Sequence, residues 1–162
     1  MRIMKKALKN TLYLLLLISI CESCSTNKNN INNKVIEYLE NHFNEFDSSE
    51  KSCILLLTED GCIPCNREYA KFIQNNFINK ENSYIILSAS GAYFDVSPFM
   101  LTDGIKNVTE DDNNKFKKDI YPYSSAIFIH RNKIDTIIQI TAKDIEKTFI
   151  YILYKYNYKN GE

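Results

Sequence analysis

Apolar and polar residues follow one another along this chain in blocks, and the period of each block predicts an element. Ile31, Val35, Leu39, Phe43 and Phe46 recur on a helical repeat, with Glu37, Glu40 and Asn44 facing away. That pattern predicts an amphipathic helix, ended by residues 47–50. Residues 53–57 form a short continuous apolar run of the length of a buried strand. After a turn cluster at 58–61, a second helical pattern runs from Cys62-Ile63-Pro64-Cys65 to about residue 79 and would bury Ala70, Phe72, Ile73 and Phe77. Residues 84–88 are again a short apolar run. Strand, helix and strand of these lengths predict a βαβ unit with parallel strands and a right-handed crossover.

Periodicity then fades. Residues 91–121 hold Gly91, Pro98, Gly104 and a polar run at 110–118, and read as an insertion with its own small helices or as a functional loop. Within it, Asn107-Val108-Thr109 matches a glycosylation acceptor pattern, which we read as chance. Order returns at 125–130, a β-rich run. Arg131-Asn132-Lys133 reads as a hairpin turn without the glycine such turns favour, and 134–140 as the return strand. Thr141 is expected to cap a closing helix, with Asp144 in the capping-box position. That helix would bury Ile145, Phe149, Ile152, Leu153 and Tyr156. Tyr151, Tyr154 and Tyr158 keep helical spacing, which reads as aromatic packing rather than a binding surface.

Composition narrows the class. At 162 residues and 44% hydrophobic content, the chain has room for one domain with a real core. Its formal charge of zero argues against a nucleic-acid binder, which needs a basic surface to displace counterions. The beginning reads differently from the rest. Arg2, Lys5, Lys6 and Lys9 precede an apolar run at 12–20, too short for a bilayer that needs ~20 residues, and together they read as a bacterial export signal. Beyond it stand Ile20-Cys21-Glu22-Ser23-Cys24. Cys24, with the small Ser23 before it, resembles the lipobox cysteine of bacterial lipoproteins; Cys21 follows the bulkier Ile20. The resemblance implies a signal peptide over 1–23, lipid on Cys24, a polar tether over 24–33 and a domain over 34–162. It also implies anchorage to a membrane of the cell envelope, facing the periplasm. A soluble periplasmic protein and an uncleaved anchor are the alternatives. Either way, export allows a disulfide to form and persist.

The chemistry concentrates at Cys62 and Cys65. A strand that ends at a C-x-x-C on a helix's first turn is a reactive arrangement. Unpaired backbone N–H groups and the positive end of the macrodipole stabilise a thiolate there, and thiolate is the attacking species. Pro64 suits the start of a helix, where a missing N–H costs nothing. A two-residue spacer closes so small a loop that a purely structural bond would constrain the unfolded chain little. Zinc is disfavoured, because no second C-x-x-C or paired histidines complete a set of four; His42 and His130 read as surface or rim residues. Cys53, inside the first strand, reads as a small hydrophobe.

In element order, residues 51–158 resemble the thioredoxin superfamily, and Gly61-Cys62-Ile63-Pro64-Cys65 is similar to its W-C-G-P-C motif. The resemblance implies an α/β, thioredoxin-like fold: a central mixed sheet flanked by helices, with an N-terminal helix and an insertion before the terminal β-hairpin. It implies a redox-active Cys62–Cys65 disulfide in which Cys62 attacks and Cys65 resolves, with no cofactor and no metal. Pro64, Tyr121 and Pro122 become substrate-docking candidates. Partners would be client proteins bearing thiols or disulfides and an envelope redox partner. Three positions depart from the family pattern. Gly61 replaces its tryptophan, and Leu56 stands where its buried acid would fall, with Glu59 and Asp60 close by but in water. Pro122 is the nearby candidate for its cis-proline, although counting back from Arg131 puts Ser125 at that place. If Pro122 fills the role, the Tyr121–Pro122 bond is expected to be cis and close to Cys62 or Cys65. The expected function is a lipid-anchored thiol–disulfide oxidoreductase. Its competitor is a non-catalytic binding lipoprotein with a structural disulfide.

Overall fold

The computed structural model describes residues 30–100 and 104–158. The expected signal peptide, Cys21, Cys24 and most of the tether lie outside the described residues. A helix is already formed at residue 30, so the last residues assigned to the tether are helical instead. This helix, α1, covers 30–42. It buries Val35 and Leu39, as its period requires, and also Tyr38; Phe43 is buried just past its end, and Phe46 lies half-buried in the following turn.

β1 (Ser52–Thr58) is buried at every position. Successive side chains of a strand point to opposite faces, so a strand apolar on both faces must be covered on both. Neighbours on both edges and helices on the two faces meet that requirement. The sheet has five strands in the order β3-β2-β1-β4-β5. β2 (Ser83–Ser88) runs parallel to β1, with Leu55 opposite Ile85 and Leu57 opposite Leu87. β4 (Ser125–His130) runs antiparallel on the other edge, with Leu56 opposite Ser125 and Ile54 opposite Ile127. β5 (Lys133–Gln139) pairs antiparallel with β4. Between them Arg131 and Asn132 both take positive φ, 51° and 62°, the pair of left-handed residues a two-residue primed turn needs.

One face is covered by α2 (Ile63–Asn76) and α5 (Ile145–Asn157). Cys53, Leu55, Leu57, Ala126 and Phe128 of the sheet pack there with Tyr69, Ile73 and Phe77 and with Ile152. Phe149 stacks on Phe72 at 4.3 Å and Tyr156 meets Phe77 edge-on at 5.0 Å. Those rings occupy the inner face of α5, so Tyr151, Tyr154 and Tyr158 lie on its exposed face, where Tyr154 and Tyr158 pack on each other at 5.4 Å. The capping expectation for Thr141 also fails. Ile140 is buried and donates its N–H to Ser124 O at 2.9 Å, which holds the chain against the sheet past β5. The helix therefore starts only after a turn, with Asp144 as its N-cap in the left-handed conformation and no side-chain capping bond.

The insertion is built from α3 (Ser97–Met100), β3 (Val108–Glu110), a 3-10 turn at Asp112–Asn114 and α4 (Lys115–Asp119). Small helices were expected; the strand was not. β3 adds parallel to the outer edge of β2. Asn107, just before it, is buried and donates from Nδ2 to Phe77 O at 2.8 Å and Ser83 O at 3.1 Å. Its amide is a structural tie, in keeping with the glycosylation pattern being chance. Asp111, just after β3, accepts from Tyr38 Oη, Ser88 Oγ and the N–H groups of Phe116 and Lys117. Burial and then the Asp111 charge push the Tyr38 phenol far above its ordinary pKa. One carboxylate thus joins α1, β2 and α4.

Candidate functional site

β1 delivers the chain to Thr58, whose N–H is held by Ser124 Oγ at 2.9 Å and whose carbonyl accepts from the same hydroxyl at 3.2 Å. Gly61 then turns the backbone at φ 81°. A tryptophan here would be strained whatever space it found, which gives a conformational reason for glycine at this position. Cys62 follows as the N-cap of α2, extended at φ −80° and ψ 96°, and Asn66 donates its N–H to Cys62 O at 2.9 Å to open the helical ladder. Ile63 and Pro64 form the start of the first turn, and Cys65 sits one step further in. The two sulfurs are bonded, with Cα atoms 5.2 Å apart.

The partners of the bond differ in their surroundings. Cys65 is 4% exposed and belongs to the core cluster; Cys62 is half-buried at the rim of that cluster. Cys62 stands at the positive end of a helix whose first turn carries no acidic side chain. A thiolate is favoured there. Cys65, shielded by the first turn, is the harder of the two to reach.

Glu59 and Asp60 were expected to stand in water. Asp60 is exposed yet pairs with Lys117 Nζ of α4 at 2.6 Å, and its carbonyl accepts from Asn66 Nδ2 at 2.9 Å. Glu59 is half-buried and fully engaged: Oε1 accepts from Ala92 N at 2.7 Å and Tyr93 N at 3.3 Å, and Oε2 from Ser90 Oγ at 2.8 Å. Desolvation opposes its charge, but the bonds from Ser90, Tyr93 and Ala92 outweigh that and hold its carboxyl below the usual glutamate range. Arg67 Nε donates to Tyr93 O at 2.7 Å. The turn carrying Cys62 is therefore tied to two parts of the insertion.

The cis bond expected at Tyr121–Pro122 is not formed. No peptide bond among the described residues is cis, so Tyr121–Pro122 is trans. Pro122 is exposed, while Tyr121 is half-buried and donates its N–H to Phe116 O at 3.1 Å. Ser124 closes the end of β1 with its hydroxyl, and Ser125 is the residue paired with Leu56. Tyr123 approaches the motif instead: its Cδ1 would lie 3.7 Å from a β-carbon at Gly61, and its ring is 43% exposed. Leu56 is buried, and no acid lies in β1. The titratable group in that strand is Cys53, fully buried and free, whose thiol burial pushes far above its ordinary pKa.

Hollows of about 450 and 490 Å³ open at the opposite end of the sheet, where His42, Lys80 and Lys106 line one and Lys51, His130 and Tyr156 the other. His42 Nδ1 lies 2.7 Å from Tyr38 O, with its ring stacked on Tyr38. Among the described residues no group of three His, Cys, Asp or Glu could hold a metal ion, and no helix is long and apolar enough to cross a membrane. A third hollow, about 450 Å³, runs beside α2 between Arg67, Ala70, Lys71, Tyr93 and Phe99. Sequence reasoning passed over Ser124, Tyr123, Arg67 and Tyr93. The one signal available was the aromatic cluster Tyr121-Pro122-Tyr123 ahead of a strand. No family model, no curated protein and no solved structure matches the chain.

Proposed function

We propose that this chain is a thiol–disulfide oxidoreductase of the bacterial envelope, with a thioredoxin-like fold and a lipid anchor at Cys24. The observation that carries the reading is the Cys62–Cys65 bond on the first turn of α2, with one sulfur at the rim and the other in the core. The element order supports the fold: a parallel β1-α2-β2 unit, then an antiparallel β4-β5 hairpin and α5, with β2-β1-β4-β5 as neighbours in the sheet. In this reading β3 is an addition to the outer edge.

The exchange needs no group beyond the two sulfurs. Cys62 thiolate attacks one sulfur of a client disulfide; a bond forms to Cys62 Sγ and the other client sulfur leaves as thiolate and takes a proton. Cys65, deprotonated, then attacks Cys62 Sγ, releasing the second client thiol and forming the Cys62–Cys65 bond. Two electrons pass from the protein to the client, and the same steps reversed oxidise a client dithiol. A binding module is the second reading, favoured by the apolar Leu56 where a proton carrier would lie. The reduction potential of the pair tells them apart. A value within the oxidoreductase range of about −270 to −120 mV is expected, and one well below about −300 mV would mark a structural bond. For the anchor, fatty-acid label is expected on the wild type and lost in Cys24→Ser. Label kept there but lost in Cys21→Ser would move the site to Cys21.

A further inference from the structure

We infer that Asn66 is a positioning residue: its side-chain amide, reaching back across the motif to Asp60, holds Cys62 at the start of α2 while the Cys62–Cys65 bond is open. This rests on the oxidoreductase reading. Asn66 follows Cys65 directly and is 1% exposed. It is bonded twice to the chain ahead of the helix, its N–H donating to Cys62 O at 2.9 Å and its Nδ2 to Asp60 O at 2.9 Å. The first bond is the ordinary opening of a helical ladder. The second is not, because a side chain of the first turn takes hold of a carbonyl outside the helix, 6 residues back. A buried amide costs free energy unless it is bonded, so an apolar residue would suit a position that only packs.

The point that Asn66 grips is itself fixed. The Asp60 N–H donates to Thr58 Oγ1 at 3.3 Å, and its carboxylate pairs with Lys117 Nζ at 2.6 Å. Between Asp60 and Cys62 stands Gly61 at φ 81°, a backbone conformation that glycine enters and leaves freely. Residues 60–66 therefore form a loop closed by a side-chain bond, and the disulfide closes a smaller loop, 62–65, inside it. Exchange opens the inner loop in every turnover. With Cys62 O held by the ladder alone, Gly61 would let the chain ahead of the helix swing and carry its N-cap residue along. The outer bond keeps the turn in register with α2. Two properties then depend on Asn66: the helix-end stabilisation of the Cys62 thiolate, and the closeness of Cys62 to Cys65 when a mixed disulfide is resolved.

The test uses the full chain in detergent, pre-reduced, with modification read on the Cys62 peptide by mass spectrometry. Alkylation by iodoacetamide is followed against pH. Oxidised glutathione is then added: a first glutathione thiol leaves as Cys62 is capped, a second as Cys65 attacks Cys62 Sγ, and the second step is timed. Asn66→Ala, and Asn66→Leu, which keeps bulk without the donor, should each raise the alkylation midpoint by about one pH unit and slow the second release about tenfold. Both changes leave Glu59, Arg67 and the Asp60–Lys117 pair in place. Asn76→Ala is the control, because Asn76 Nδ2 donates to Phe72 O at 2.8 Å further along α2, a like bond away from the motif. In isotope-labelled, reduced wild type, NMR should find the Asn66 side-chain amide protons slow to exchange with solvent. Exchange as fast as that of an exposed amide overturns the inference without any substitution. A midpoint or a release rate unchanged in both Asn66 variants, or the same shifts in Asn76→Ala, overturns the inference alone. A wild type that does not exchange with oxidised glutathione overturns the oxidoreductase reading and this inference with it.

Discussion

Cys53 and Cys62 lie within one strand-and-turn of each other, yet their surroundings give one side chain two opposite characters. Cys53 sits between Ser83 and Phe128 in the middle of a sheet, fully buried and unbonded. Burial there disfavours its thiolate, and nearby Lys51 offsets that only in part. Cys62 sits where the sheet has ended and a helix begins, half-buried, facing a first turn free of carboxylates. Desolvation controls the first site and the helix dipole the second. On the proposed reading, reactivity follows from the place a cysteine takes relative to the ends of elements. The sequence carried that contrast, because 53–57 is an unbroken apolar run and Cys62 follows a turn.

The contrast can be broken by exchanging the characters. Cys53→Asp puts an unpaired charge among Leu55, Phe77 and Phe128 and should cost about 3–5 kcal/mol, read as loss of the folded signal in denaturant melts. Removing the motif bond should do far less. Cys62→Ser with Cys65→Ser opens a very small loop, for which chain entropy gives about 2 kcal/mol or less in the same melts. A third comparison uses alkali. Cys53 has its folded pKa raised, so its contribution is complete below the unfolded value and is lost as pH rises toward the folded one. Above about pH 8.5 stability should fall by up to ~1.4 kcal/mol per pH unit from this group, and Cys53→Ala should flatten that slope. A slope unchanged in Cys53→Ala would mean that buried phenols such as Tyr69 account for it.

Strands buried on both faces were plain in the sequence. The run at 125–130 matches β4 to the residue, because its middle, Ala126 to Ile129, is apolar and buried on both faces. β3 was hidden for the opposite reason. It is three residues long, half-buried to exposed, and its pairing with β2 supplies what its side chains do not. The start of α5 was misplaced because capping signatures describe local chemistry. Thr141 has the right type, but the Ile140 bond to Ser124 keeps the chain on the sheet until Asp144. At the site, both cysteines were legible from spacing alone. The surrounding clamps were not, since Glu59 to Ser90, Arg67 to Tyr93 and Thr58 to Ser124 join residues far apart in the chain. Tyr151, Tyr154 and Tyr158 had helical spacing, but spacing alone did not say which face the core would claim.

The central claim is that Cys62 attacks and Cys65 resolves, and trapping tests it most directly. Membrane extracts of Cys62→Ser, Cys65→Ser and Cys53→Ser are run on non-reducing gels, with and without reductant. Cys65→Ser should accumulate reductant-sensitive mixed disulfides through Cys62, because the resolving thiol is gone. Cys62→Ser should accumulate almost none, and Cys53→Ser should behave as wild type. Equal trapping by Cys62→Ser and Cys65→Ser would contradict the assignment of roles. No trapping by any variant, in a protein that also fails to exchange with a model disulfide, would contradict the chemistry itself.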